Sequence, residues 1–394
     1  MNAATSLRIA IGGGGTGGHL FPGIAVAEEF RRRFPETRVL FISRGNDFER
    51  QALGRAGFPL AAIAVEGLRG RGRWQKLRAA AKLPIALLQA ARHLRAFGPD
   101  LVLGLGSYAA GPVVLAGRLL GAPVALCEQN SRPGATNRLL ARFAARVFVS
   151  FPETAAAFPE GKACWTGNPL RRGIAAAAEA PGPPSPDPGR FTLLVLGGSQ
   201  GAHRLNTALI EALPALAALG GRLFVLHQTG SADEEAVRAA YAGAGIPARV
   251  EAFFHDMAAA YRRADLVVCR AGATTVAEIT ALGRPAIFVP FPYAAADHQT
   301  ENALRLVAAG AAEMIPEAEL TGARLAERLA ELMREPALLA ERGRRAAALG
   351  RPQAAAAVVD ECLRLIAARA GERGEDRVPS VSYTHLTLPT IYSV

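Results

Sequence analysis

Two glycine-rich turns constrain this chain more than any other feature. Gly12-Gly13-Gly14-Gly15-Thr16-Gly17-Gly18-His19 and Gly197-Gly198-Ser199-Gln200-Gly201 each follow an apolar, strand-like run and precede a helical pattern. Glycines at such a turn let the backbone approach an anionic group closely, and the following helix offers unpaired N–H groups and the positive end of its dipole. Two such turns predict two nucleotide-type halves, with the site in the cleft between them.

The rest of the pattern agrees. In the first half, apolar runs at 7–11, 38–43, 61–65, 100–105, 124–127 and 146–150 alternate with helical stretches, as in a parallel sheet with crossover helices. Residues 181–188, rich in proline, suit neither helix nor central strand and read as a linker. Strand-like runs resume at 191–196, 223–227, 249–253, 265–269 and 286–290. The expected fold is α/β: two doubly wound parallel-sheet domains facing across a cleft, since open sheets bind ligands outside the carboxyl ends of their strands. The domains are expected at 1–170 and 171–351, with a helix at 352–369 returning to the first. The stretch 371–394 is expected to be a tail, disordered or non-native, because its end departs in composition from everything before it.

At 394 residues, half of them hydrophobic, the chain can bury two such cores. Its four cysteines, Cys127, Cys164, Cys269 and Cys362, show neither a disulfide framework nor metal-ligand spacing. The start of the chain lacks a charged n-region and a long apolar span, so the protein is expected to be neither secreted nor membrane-spanning. The formal charge of +11 is carried almost wholly by arginine, and aromatics are sparse, which argues against nucleic acid as a partner.

Several residues carry candidate chemistry. His19 follows the first glycine loop at a helix start, with Pro22 expected in the first turn, so its imidazole suits a general base in the cleft; capping or phosphate contact is the plainer role. The second loop suits a diphosphate. After the 265–269 run, Gly272 to Glu278 repeats strand, small-residue turn and helix, and Glu278 suits the two hydroxyls of a ribose. Arg171, near the domain crossing, suits a departing diphosphate. No Asp-x-Asp occurs, so helix termini and arginine, rather than a bridging metal, are expected to stabilise that leaving group. Gly13-x-Gly15-x-x-Gly18 formally matches a dinucleotide fingerprint, yet the second strand ends in Ser43-Arg44 without the ribose-binding carboxylate; Arg44 keeps an NADP reading open.

Between Gly67 and Pro99 there is no acidic residue. Trp74, Leu77, Ile85 and Leu88 recur there at helical spacing among cations that include Lys76 and Lys82, with Pro84 expected to kink or split the helix. Such a segment suits an anionic membrane surface; a core-facing helix with a solvated basic face is the other reading.

In order along the chain, Gly14 to His19, Glu128-Gln129-Asn130, Gly167-Asn168-Pro169-Leu170-Arg171, Gly197 to Gly201, Gly272 to Glu278 and Asp297-His298-Gln299-Thr300-Glu301-Asn302-Ala303 closely resemble the MurG glycosyltransferases. The resemblance spans roughly residues 7 to 368. It implies two Rossmann-like domains of the GT-B type and transfer of N-acetylglucosamine from UDP-N-acetylglucosamine to undecaprenyl-diphospho-muramoyl-pentapeptide. The enzyme would be peripheral on the cytoplasmic face of the bacterial inner membrane and would use no cofactor or metal. By that resemblance Thr16, Gly17, Gly18, Asn130, Arg171, Ser199, Phe254, Ala273, Thr274, Thr275, Val276, Ala277, Glu278 and Gln299 line the donor site. Gly14 and Gly15 hold the acceptor diphosphate, and His19 activates the acceptor C4 hydroxyl in a single inverting displacement. Two positions differ from the usual family pattern: Cys127 where the family shows histidine, and Phe254 where a smaller aliphatic residue is common.

Overall fold

The structure, a computed structural model, describes residues 6–66, 82–180, 189–198, 201–218, 220–294 and 297–373. It contains two all-parallel sheets. The first comprises β1 (Arg8–Gly12), β2 (Arg38–Ser43), β3 (Leu60–Ala62), β4 (Leu101–Gly104), β5 (Val124–Glu128), β6 (Arg146–Val149) and β7 (Ala163–Trp165), in the order β3-β2-β1-β4-β5-β6-β7. The second comprises β8 (Phe191–Leu196), β9 (Leu223–Gln228), β10 (Ala248–Glu251), β11 (Leu266–Cys269), β12 (Ala286–Phe288) and β13 (Ala312–Met314), ordered β10-β9-β8-β11-β12-β13. Both are doubly wound, and each reverses direction beside the strand that feeds a glycine loop: between β1 and β4, and between β8 and β11.

The first half carries helices α1 (Gly17–Arg33), α2 (Asp47–Ala56), α3 (Leu83–Phe97), α4 (Ser107–Leu119) and α5 (Ala135–Leu140). Then follow α6 (Arg172–Glu179), α7 (His203–Ala217), α8 (Glu234–Gly243), α9 (Met257–Arg263), α10 (Ala273–Ala281), α11 (His298–Ala308), α12 (Gly322–Met333), α13 (Pro336–Leu349) and α14 (Ala354–Arg373).

Strand alternation divides each core into two layers. Ile9 and Ile11 of β1 pack with Leu101 and Leu103 of β4 on one face, while Ala10 packs with Val102 on the other. In the second sheet Leu193 and Val195 point to one layer, Leu194 and Leu196 to the other. Helix α14 crosses back to the first sheet: Val358, Val359, Cys362, Leu363 and Ile366 are buried in the same layer as Ile9 and Phe30, and Asp360 pairs with Arg33 of α1. Because α14 runs to Arg373, the first three residues of the expected tail belong to this helix. The rest of the tail, the linker at 181–188, and Trp74, Lys76 and Leu77 lie outside the described residues.

Two prolines sit differently from the sequence expectation. Pro84 falls in the first turn of α3, where its missing N–H costs nothing, and so opens that helix instead of kinking it. Pro22 is not in the first turn of α1 but inside it. No described helix is long and apolar enough to cross a membrane.

Candidate active site

A cavity of about 780 Å³ opens between the sheets, walled by the loops after β1, β5, β8, β11 and β12 and by the first turns of α1, α7, α10 and α11. Thr16, Gly17, Gly18, His19, Asn130, Arg171, Ala273, Thr274, Thr275, Glu278 and Gln299 all line it. These residues, scattered from 16 to 299, converge because both switch points face the same space.

The second loop enters the wall through Gly197, Gly198 and Gly201; Ser199 lies outside the described residues. A Cβ on Gly201, which has φ +79°, would lie 2.4 Å from the Thr229 carbonyl oxygen, so glycine is required there. Gln228, at the end of β9, ties the wall together. Its side chain donates to Gly198 O (3.0 Å) and accepts from Phe254 N–H (2.9 Å). The only sequence sign of that role is a polar residue ending the apolar run LFVLHQ.

Five expected residues are elsewhere. Phe254 is buried in the second-domain core, and its neighbour Phe253 faces the cavity instead, as adjacent residues in extended chain must. Val276 and Ala277 turn away along α10 and line a smaller crevice near Trp165 and Arg351. Neither Gly14 nor Gly15 lines the main cavity.

Gly14 and Gly15 are also not free to cradle a phosphate. Gly13 N–H donates to Ile42 O (3.1 Å), Gly14 N–H reaches Ser107 Oγ (3.5 Å), and Gly15 N–H donates to Glu49 Oε1 (2.6 Å). Glu49 is fully buried and accepts three further hydrogen bonds, from Ser43 Oγ (2.6 Å), Gly45 N (2.7 Å) and Asn46 N (3.0 Å). The first cradle therefore already holds an anion, the protein's own carboxylate. A second anion placed on the same amides would be repelled, which disfavours both a diphosphate on Gly14 and Gly15 and the dinucleotide reading left open by Arg44. In the first turn of α1, Gly17 and Gly18 line the cavity, and the His19 N–H donates to Thr16 O (3.2 Å).

Pro22 adds a contact. Lacking an N–H, it cannot bond the carbonyl four residues earlier, that of Gly18. Gly18 O instead accepts from Thr274 Oγ1 (3.3 Å) at the start of α10, so the helix interruption becomes a bridge between domains. Ser131 N–H to Asn302 Oδ1 (3.1 Å) is a second bridge.

On the first wall, half-buried His19 has Nδ1 2.9 Å from Gln129 Oε1. The Gln129 loop is anchored by Glu128, whose carboxylate accepts from Asn130 N (3.0 Å), Gly134 N (3.0 Å) and Asn137 Nδ2 (2.9 Å). Cys127 points into the first-domain core, not the cavity, and burial, aided by the Glu128 charge, pushes its thiol up to about 12. It is a packed, unreactive group.

On the second wall, Glu278 is 4% exposed. Arg171 Nη2 donates to Oε1 and Tyr261 OH to Oε2, each at 3.0 Å. Burial, and then the Glu278 charge, push the Tyr261 phenol well above its ordinary range, so it stays a donor. The Arg171 guanidinium also lies 4.6 Å from the Phe21 ring of α1, linking the two walls through the carboxylate. Each carboxylate oxygen keeps lone-pair capacity for a further donor. Gln299 Oε1 accepts from Phe291 N–H (3.0 Å), tying the first turn of α11 to the loop after β12.

Comparison with known proteins matches this geometry. The glycosyltransferase family 28 N-terminal domain matches residues 9–149 and the family 28 C-terminal domain residues 192–358. A protein of Syntrophus aciditrophicus, named as the UDP-N-acetylglucosamine–N-acetylmuramyl-(pentapeptide) pyrophosphoryl-undecaprenol N-acetylglucosamine transferase, is 50% identical over 92% of this chain and 99% of its own length. A protein of the same name from Citrifermentans bemidjiense is 49% identical over 90% of this chain and 98% of its own. The crystal structure of Acinetobacter baumannii MurG superposes with a TM-score of 0.72 at 35% identity, covering 91% of this chain and 99% of that one. With two doubly wound domains closing on one cavity, and relatives this similar over nearly their whole length, the chain belongs to the MurG family of glycosyltransferases.

Proposed function

We propose that this chain transfers N-acetylglucosamine from UDP-N-acetylglucosamine to the C4 hydroxyl of undecaprenyl-diphospho-N-acetylmuramoyl-pentapeptide, with inversion. The observation that carries this reading is the pairing, across one cavity, of an imidazole on the first wall with a buried carboxylate on the second. Relatives with the name given above support the substrates.

In the reaction, the acceptor oxygen attacks the anomeric carbon as the bond to UDP breaks on the opposite face, and His19 takes the hydroxyl proton. Glu278 receives ribose hydroxyls on oxygens already oriented by Tyr261 and Arg171. The first turn of α7, after the second glycine loop, and Thr274 with Thr275 at the first turn of α10 face the diphosphate and stabilise its developing charge. Arg171 contributes through Glu278 and Phe21. The first domain, 1–170 with the returning helix 352–369, holds the acceptor, and 171–351 holds the donor.

The same domain meets the membrane. Leu83, Ile85 and Leu88 at the start of α3 are 50%, 51% and 71% exposed, an apolar face beside Lys82, which pairs with Glu66. That combination suits the anionic cytoplasmic surface of the inner membrane. A double Ile85→Glu, Leu88→Glu variant should lose co-sedimentation with anionic vesicles yet turn over a short-chain acceptor normally; unchanged sedimentation would remove this face from the interaction.

The test of function is transfer of labelled N-acetylglucosamine to a short-chain lipid-linked muramoyl-pentapeptide, with and without EDTA. Transfer should survive EDTA and fall more than about a hundredfold in His19→Ala with donor binding retained. Donor binding without transfer in the native protein would point to another acceptor.

A further inference from the structure

We infer that Gln129 is a positioning residue for this reaction: it decides which nitrogen of His19 is free to take the acceptor proton. The inference rests on the reading of His19 as the base. Neutral imidazole has one N–H and one lone pair, and a carboxamide oxygen only accepts. With Gln129 Oε1 at 2.9 Å, Nδ1 must carry the proton, leaving the lone pair on Nε2.

The carboxamide is held for the task. Gln129 is 1% exposed, follows the anchored Glu128, and belongs to the loop bridged to Asn302 of the second domain through Ser131. Its Nε2 is buried without a partner among the described residues, so the fold accepts an unpaired amide while keeping Oε1 on the ring. The opposite amide orientation would set an N–H against Nδ1, move the imidazole proton to Nε2 and leave the base unable to accept. Next to the same ring edge stands Gly106, where a Cβ would lie 3.5 Å from His19 Cε1 and Nδ1, so the missing side chain leaves the imidazole its room. The Oε1 contact is what orients the imidazole.

The test compares Gln129→Leu, Gln129→Glu, His19→Ala and the His19→Ala, Gln129→Leu pair in steady-state transfer to the short-chain acceptor, with melting temperatures as the folding control. Gln129→Leu should lower kcat by about 10- to 100-fold, less than loss of the base itself, while the donor KM stays within about threefold. The pair should be no slower than His19→Ala alone, because both changes remove one device. Gln129→Glu keeps the acceptor oxygen, so it should recover most of the rate and move the acid limb of the kcat profile to higher pH, a carboxylate favouring the imidazolium.

A Gln129→Leu kcat within twofold of native, a pair much slower than His19→Ala, or an unmoved acid limb in Gln129→Glu would each overturn the inference. Normal turnover in His19→Ala would remove the base and this role with it. An inactive His19→Ala beside a normal Gln129→Leu would remove the positioning role alone.

Discussion

Replacing Glu49 tests whether the first glycine loop is built around an internal anion. Four donors converge on its two oxygens: Gly15 N and Ser43 Oγ on Oε1, Gly45 N and Asn46 N on Oε2. Glutamine fits the same space with one acceptor oxygen. Its best orientation turns the NH2 toward Ser43, whose hydroxyl can accept, and leaves Gly15 N–H unpaired. One orphaned, part-buried donor and two weakened charge-assisted bonds amount to about 2–4 kcal/mol. For a domain of this size that is a fall in Tm of roughly 5–15 °C. The same substitution removes the repelling charge and exposes the Gly15 amide, so inorganic phosphate should raise the Tm of Glu49→Gln more than that of the native protein. The assay is thermal unfolding followed by fluorescence across a phosphate series at constant ionic strength. A variant melting within about 2 °C of native, with the same phosphate response, would refute the internal-anion argument.

Three further outcomes follow from geometry. His227 is buried between Tyr241 OH and Asn206 Oδ1, and burial, opposed only by Asp233, pulls its pKa down to about 3. The unfolded chain binds this proton near pH 6.5, so the contribution is complete above that pH and declines by up to about 1.4 kcal/mol per unit below it; urea titrations at pH 5, 6 and 7 should show the slope flattened in His227→Gln. Thr274→Val should raise the donor KM by about five- to tenfold through loss of its hydroxyl, and Pro22→Ala, which supplies a competing N–H for Gly18 O, should weaken donor binding in the native background but not on Thr274→Val; equal effects in both would separate Pro22 from the bridge. Tyr261→Phe frees Glu278 Oε2 from its 3.0 Å hydrogen bond and should raise the donor KM about three- to tenfold with kcat nearly unchanged, whereas a loss confined to kcat would take Tyr261 out of donor positioning.

Local chemistry made some of this legible in the sequence. The β-branched and leucine-rich runs name nearly every central strand, because a parallel strand buried on both faces needs continuous apolar side chains. β7 and β13 escape that signal: Ala163–Trp165 and Ala312–Met314 contain no β-branched residue and are strands only through pairing with β6 and β12. The glycines mark backbone that can approach an anion, but not which anion; Glu49, 34 positions beyond Gly15, becomes visible only when α2 docks. Phe253 and Phe254 are equivalent in composition and differ in which way the chain end faces. Gln129 reads as one letter of a motif until packing of α1 brings His19, 110 positions away, against its amide.

The two halves share a strand order and diverge in what fills the cradle. In the first, the glycine-loop charge requirement is met internally by Glu49, so that wall presents an imidazole and the open first turn of α1. In the second, the described amides of Gly197 and Gly201 donate to the carbonyls of Gln228 and Gly198, and the side chain of Gln228 holds Gly198 O. That loop is shaped by neutral partners, and its helix dipole is left for an incoming anion. An inverting displacement requires base and leaving group on opposite faces of the reacting carbon. A duplicated fold supplies two walls, and satisfying the anion site on one of them makes the walls unequal; in the proposed reaction the diphosphate therefore goes to the second, and the sugar it carries faces His19 on the first.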